Sequence, residues 1–191
     1  MMRLRALESG HDRPTRITFA AMRAVGRCDV PEILKLACYR HRYFGTPFHA
    51  LVQHAMRGPS AWTVGEREVI AVVTSQRNSC PFCATAHHAI AGAYGTDTDD
   101  PSSRSPALTA TLRFLETLDP IDAQAARDAG VDDEALHQAA EIGALFDLIN
   151  RAMNAAGAEA ITGRAQAVTA TVVRRGGYRL PPPVRYLSRS R

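Results

Sequence analysis

Lysine is almost missing from this chain. Lys35 stands alone, and every other basic residue among the 23 Lys and Arg is arginine. A phosphate-binding surface has no reason to exclude lysine, so this one-sidedness reads as codon bias rather than nucleic-acid recognition. The formal charge of +4 is also unevenly placed, because the stretch from Arg174 to Arg191 holds six arginines and no acidic residue. Removing those six leaves −2 for the rest of the chain, which therefore has no strong positive field, and no nucleic-acid partner is expected. Long apolar runs are missing as well. The longest, Val69 to Val73, is far short of the roughly 18 residues of a membrane span. The opening MMRLRALESGHDRPTR is charged and holds no apolar stretch, so no secretory signal is expected and a cytoplasmic location is. Strand-like alternation is scarce.

What is present is a chain of 191 residues with 46% hydrophobic and 22% charged side chains, suited to one globular core. Alanine is abundant and apolar residues recur at helical spacing, which predicts an all-α fold. The pattern predicts helices over Ile17–Val25, Pro31–Tyr39, Pro47–Met56, Val64–Arg77, Pro81–Tyr94, Ala107–Leu118, Asp122–Asp128, Asp133–Ala156 and Ala158–Arg174. Thr63-Val64-Gly65-Glu66 has the form of a capping box, in which a hydroxyl and a carboxylate satisfy free amides at a helix start. Asn78 and Ser79 supply a break before Pro81, whose fixed φ suits the first turn of the next helix. The polar stretch Gly95 to Pro106 reads as an exposed loop. Residues 1–175 are expected to form a single helical domain. Residues 176–191 form a basic tail that Gly176-Gly177 and Pro181-Pro182-Pro183 keep from continuing a helix, either disordered or laid on a neighbouring surface.

Four cysteines occur, at 28, 38, 80 and 83, and Cys28 and Cys38 read as buried core thiols. Cys80-Pro81-Phe82-Cys83 is different. A C-x-x-C at a helix start can close a local disulfide, and the helix N-terminus favours its thiolate. His87 follows Cys83 at i+4, about 40° away on the same helix face, where an imidazole can accept a thiol proton. His88 points elsewhere, and His87 as a plain half-buried polar residue is the competing reading. Glu68 stands among Val64, Val69, Ile70, Val72 and Val73 on the preceding helix, which must fold back steeply or antiparallel across the Asn78-Ser79 break. In such an apolar setting its carboxyl pKa is expected to rise, making it a proton carrier nearer neutrality; a solvated first-turn glutamate is the alternative.

Glu68, Cys80, Cys83 and His87, set in GEREVIAVVTSQRNSCPFCATAHHAIAGAYG, resemble the motif of the alkylhydroperoxidase D-like branch of the carboxymuconolactone decarboxylase superfamily. The resemblance is strongest over about residues 42–95, includes RYFGTPFHALVQHAMRGPSAW, and continues weakly through ALFDLINRAMNAAG. It implies an all-helical fold, a homo-oligomer (trimer or hexamer) and thiol-dependent reduction of hydroperoxides. By the same resemblance Cys83 is the peroxide-attacking thiolate, Cys80 the resolving thiol, His87 the base and Glu68 the far end of a proton relay. No bound cofactor is implied. The expected reductant is an external dithiol such as a lipoylated protein, and a peroxiredoxin is a further implied partner. The physics of C-x-x-C helices adds that the first cysteine has the lower pKa and greater exposure, which favours Cys80 as the thiol meeting that reductant. The sequence departs from the best-known peroxidases at Phe82, where they carry histidine, so one proton-handling group is missing while dithiol–disulfide exchange stays intact. Muconolactone decarboxylation needs no redox pair, and the two cysteines count against it.

Other classes of reading remain. The chain can be a disulfide reductase without peroxidase activity, an oligomeric scaffold in which the cysteines are vestigial, or a zinc protein using Cys80, Cys83, His87 and Glu68, although the usual second Cys/His pair is absent. Elsewhere Asp147, Asn150 and Arg151 interrupt an apolar pattern, and Asp147 and Arg151 read as an i,i+4 ion pair on the helix surface, with a polar wall of the substrate pocket or a subunit contact as the alternative. Tyr94 reads as core.

Overall fold

The structure is a computed structural model that describes residues 5–187, and among them it contains helices and no strand. The helices are α1 (Ala6–Ser9), α2 (Arg13–Gly26), α3 (Glu32–Tyr39), α4 (His41–Phe44), α5 (Thr46–Arg57), α6 (Val64–Arg77), α7 (Pro81–Ala93), α8 (Pro106–Thr117), α9 (Pro120–Asp128), α10 (Asp133–Ala156), α11 (Gly163–Gly176) and α12 (Pro182–Leu187). A 3₁₀ turn over Pro101–Ser103 interrupts the loop before α8. Side-chain caps decide many of the starts. Asp12, Ser105, Asp119 and Asp132 each accept a backbone N–H from the first turn of the helix they precede. Thr63 and Glu66 form the expected reciprocal capping box at α6.

The main difference from the sequence expectation lies between α10 and α11. Gly157 ends α10 with φ of 72°, a left-handed conformation that glycine adopts without strain. Ala158 and Ile161 then turn inward to the core, and the Ile161 amide donates to Thr85 Oγ1, so α11 starts at Gly163 rather than at Ala158. The short α1, α4 and α12 were also not expected from periodicity.

Two apolar clusters hold the chain together. The larger is built on Met56 of α5, Ile70 of α6, Ile142, Phe146 and Met153 of α10, and the buried face of α7. Trp62 joins it by donating its indole N–H to the Ala135 carbonyl at 2.8 Å. The smaller joins Phe19, Val30, Ala37 and Cys38 to Leu180 and Val184. Cys38 is buried as expected, whereas Cys28 is only half-buried because it lies beyond the end of α2, outside both clusters. The lone lysine is buried and ion-paired with Glu8 at 2.9 Å.

Two close approaches position the site. Gly65 lies against Thr96, where a Cβ would come within 1.9 Å of the hydroxyl, so the 95–106 connection crosses the start of α6. Part of that loop is anchored rather than fully exposed, with Thr98 buried and its hydroxyl 2.6 Å from His88 Nδ1. Gly177 (φ 64°) lies against Gln53, where a Cβ would come within 2.2 Å of the amide oxygen. There residues 177–187 turn back onto their own chain. The Tyr178 amide donates to Gln53 Oε1 at 2.7 Å, its carbonyl accepts from His49 Nδ1 at 2.9 Å, and Leu180 and Val184 enter the smaller cluster beside α2 and α3. The segment set apart by sequence as a tail therefore lies on this chain's own body, and Arg189 and Arg191 fall outside the described residues. No described helix is long and apolar enough to cross a membrane.

Candidate active site

The α6–α7 hairpin builds the site. Ser79 takes a left-handed φ of 50° and the Cys80 amide donates to the Ser75 carbonyl, which reverses the chain within three residues. Glu68 and His87 lie at similar distances from that turn, and their contact shows the two helices to be antiparallel. Glu68 is wholly buried and its Oε2 lies 2.6 Å from His87 Nδ1. Arg57, at the end of α5, donates to Oε1 at 2.6 Å. The Tyr178 hydroxyl lies 2.9 Å from each carboxylate oxygen and 3.2 Å from His87 Nδ1. Arg67 fixes the end of α5 by donating to the Ala55 and Gly58 carbonyls, which holds Arg57 in place. The Arg57 guanidinium sits between the rings of Tyr94 and Tyr178, about 5 Å from each centroid.

This cage reverses the expected titration of Glu68. Burial alone pushes its carboxyl up, but the hydrogen bonds and charges of His87 and Arg57 outweigh burial and hold it below the ordinary carboxylate value. An ionised Glu68 can only accept, so the bond between them is donated by His87 Nδ1–H. Burial and the adjacent Glu68 charge push the Tyr178 phenol well above its usual value, so it stays a donor. The His87 ring is held from two sides, edge-on to Phe146 at 4.5 Å and stacked with Tyr178 at 5.9 Å.

Cys80 occupies the position before α7, with Pro81 at its first turn, and Cys83 follows within that turn. Cys83 hydrogen-bonds Cys80, which holds the Cys80 thiol below the usual range in spite of burial. The same bond together with burial pushes Cys83 up. The lower pKa of the first cysteine is as expected. Its greater exposure is not found: Cys80 is 1% and Cys83 2% exposed, since Cys80 is enclosed by the α6–α7 turn. What distinguishes them is a cavity of about 210 Å³, walled by Cys83, His87, Phe82 and Tyr178 together with side chains of α3, α5, α10 and α11, and almost entirely apolar. Cys80 does not line it.

The hairpin thus holds the four residues singled out by sequence as two pairs, Glu68 with His87 and Cys80 with Cys83, and sets Cys83 and His87 on one cavity wall. Sequence reasoning missed Arg57 and Tyr178, because neither sits at a fixed spacing from the cysteines; an arginine in a helix's last turn and a tyrosine after a Gly-Gly break are ordinary in isolation. Other expectations are corrected. Asp147 accepts from Arg77 at 2.9 Å and from Asn78 at 2.6 Å across the α6–α10 contact, rather than pairing with Arg151 along its own helix. Asn150 is buried and accepts from Ser75, outside the cavity wall. Tyr94 is half-buried over Arg57 rather than in the core. Among the described residues no three His, Cys, Asp or Glu side chains converge as metal ligands, and His87 commits Nδ1 to Glu68.

No protein-family model matches the chain, and no curated protein matches it. Solved structures do. An uncharacterized peroxidase-related protein from Silicibacter sp. TM1040 is 22% identical with a TM-score of 0.66, covering 88% of this chain and 92% of its own. A second uncharacterized peroxidase-related protein, described as an alkylhydroperoxidase AhpD core and taken from Ralstonia eutropha JMP134, is 24% identical with a TM-score of 0.63, covering 85% of this chain and 92% of its own. With its helices matched over most of both neighbours and its C-x-x-C helix folded back on a buried glutamate, this chain has the all-helical fold of the AhpD-like, peroxidase-related structures.

Proposed function

We propose that this protein is a thiol peroxidase that reduces organic hydroperoxides by cycling Cys80 and Cys83 between dithiol and disulfide. The observation that carries the reading is the shared wall of Cys83 and His87 on an apolar cavity, with His87 held from behind by ionised Glu68. His87 Nε2 takes the Cys83 proton. The Cys83 thiolate attacks the terminal peroxide oxygen; the S–O bond forms, the O–O bond breaks, and the leaving alkoxide receives the proton from His87. Cys80 then attacks the Cys83 sulfenic acid, closing the disulfide and releasing water. Its lowered pKa suits that resolving step. An external dithiol, in our reading a lipoylated protein, takes over the disulfide and restores both thiols, and a peroxiredoxin is a candidate oxidised partner. Glu68, Arg57 and Tyr178 are positioning residues that fix the His87 tautomer. The protein acts as a homo-oligomer.

A second reading, dithiol–disulfide exchange without peroxidase turnover, is favoured by one feature. Phe82 gives the cavity an apolar wall and no second proton carrier beside Cys83. Steady-state reduction of cumene hydroperoxide with dihydrolipoamide separates the two. Turnover in wild type, abolished in both Cys83→Ser and Cys80→Ser, is the expected result. A wild type inert toward hydroperoxide with both thiols intact overturns the peroxidase assignment.

A further inference from the structure

The cavity over Cys83 does not end in apolar side chains on every side. His49 and Arg179 belong to its wall and also to that of a second, larger cleft of about 440 Å³ on the far side of residues 178–180. This cleft has the opposite character. Its charged and titratable walls are His49, His54, Arg57, Arg179 and Arg185, with Gln53 and Thr46 beside them, and among the described residues no acidic side chain lines it. The guanidinium of Arg57 is committed to Glu68 through Nη2, yet its Nε is buried without a hydrogen-bond partner among the described residues, and the side chain is 9% exposed. That atom is closed off from solvent, so it offers no donor to a molecule in the cleft. His49 repeats the pattern: Nδ1 is used by the Tyr178 carbonyl and Nε2 is buried and unpartnered. Arg179 is exposed and stands where the apolar and basic spaces meet.

An apolar cavity with an exposed arginine on its rim, next to a basic cleft, fits one kind of small molecule: a long apolar body ending in an anion. We propose that the site binds a long-chain carboxylate, with the hydrocarbon in the cavity beside Cys83 and the carboxylate at Arg179 on the rim of that cavity. The physiological oxidant is then a fatty-acid hydroperoxide. Binding of the amphiphile stands on the cavity and Arg179 alone, and only its hydroperoxide group rests on the peroxidase reading.

The test uses an unreactive probe, so that its outcome does not depend on turnover. Laurate and dodecanol are titrated into the full-length reduced protein by calorimetry, with wild type beside Arg179→Gln, Arg179→Lys and Arg179→Glu. Laurate is expected to bind about tenfold more tightly than dodecanol, as one charge-assisted contact provides. Arg179→Gln is expected to remove that advantage, Arg179→Lys to keep most of it and Arg179→Glu to abolish laurate binding, while dodecanol binds all four proteins alike and so reports an intact cavity. Equal affinity for the acid and the alcohol, or laurate binding indifferent to the charge at position 179, overturns the proposal. Tight laurate binding by a protein with no hydroperoxide turnover upholds the site and removes only the peroxidase reading.

Discussion

Glu68 shows why a side chain's chemistry is harder to read than its position. Its spacing from the C-x-x-C marked it as functional, and the structure places it against His87, but the direction of its titration depends on Arg57 and Tyr178, which arrive from α5 and from beyond α11. The carboxylate is fully buried, so its charge is tolerated only while those partners are present. Glu68→Gln is expected to destabilise the fold by about 3 kcal/mol, since it leaves the buried Arg57 guanidinium without its counter-charge, and urea unfolding at pH 7 measures it. The pH dependence has a definite sign. Because the folded pKa lies below the unfolded value of 4.5, Glu68 contributes fully above about pH 4.5, and that contribution is lost as pH falls through the folded value. Wild-type stability should therefore drop more steeply than that of Glu68→Gln on acidification below pH 4.5. Parallel curves would mean that Glu68 is protonated in the native state.

Helices with strong punctuation were legible from sequence, and those without it were not. The predicted spans of α6 and α10 agree with the structure at both ends, because a capping box, an N-cap aspartate and a left-handed glycine mark them chemically. The last segment carried no such marks. Its Gly-Gly and triple proline correctly stop α11, but they are silent on where the chain goes next, and that is decided by Leu180 and Val184 entering a cluster made by residues about 150 positions earlier. Removing residues 177–191 exposes that cluster and the cavity wall. Each buried aliphatic contributes on the order of 2 kcal/mol, so the truncated protein should melt several degrees lower, with Cys83 alkylated faster by iodoacetamide. Unchanged melting and alkylation would show that the segment does not hold its place in solution.

The molecule as a whole exposes several large apolar side chains, including Ile17, Val25, Tyr43, Leu51, Leu148 and Val172, which the folded chain leaves uncovered. Scattered apolar residues are common on monomers, so mass decides the matter. Light scattering is expected to give three or six times the 20.7 kDa of one chain. A single-chain mass at all concentrations would overturn the oligomer reading. The all-helical class was evident from composition and period alone, whereas the pairing of two cavities was not, because it depends on which residues the last segment lays across α5.

The position of Tyr178 also bears on how the protein is made. Glu68, Cys80, Cys83 and His87 leave the ribosome about a hundred residues before the tyrosine that completes the cage, and helices α6 and α7 can pair in that interval. During it Glu68 has no phenol donor, and the cavity beside Cys83 lacks the walls that α10, α11 and Tyr178 supply. A nascent chain thus joins Glu68, His87 and the two thiols before it owns the pocket that encloses Cys83, and the fold finishes the enclosure after it has assembled the cluster.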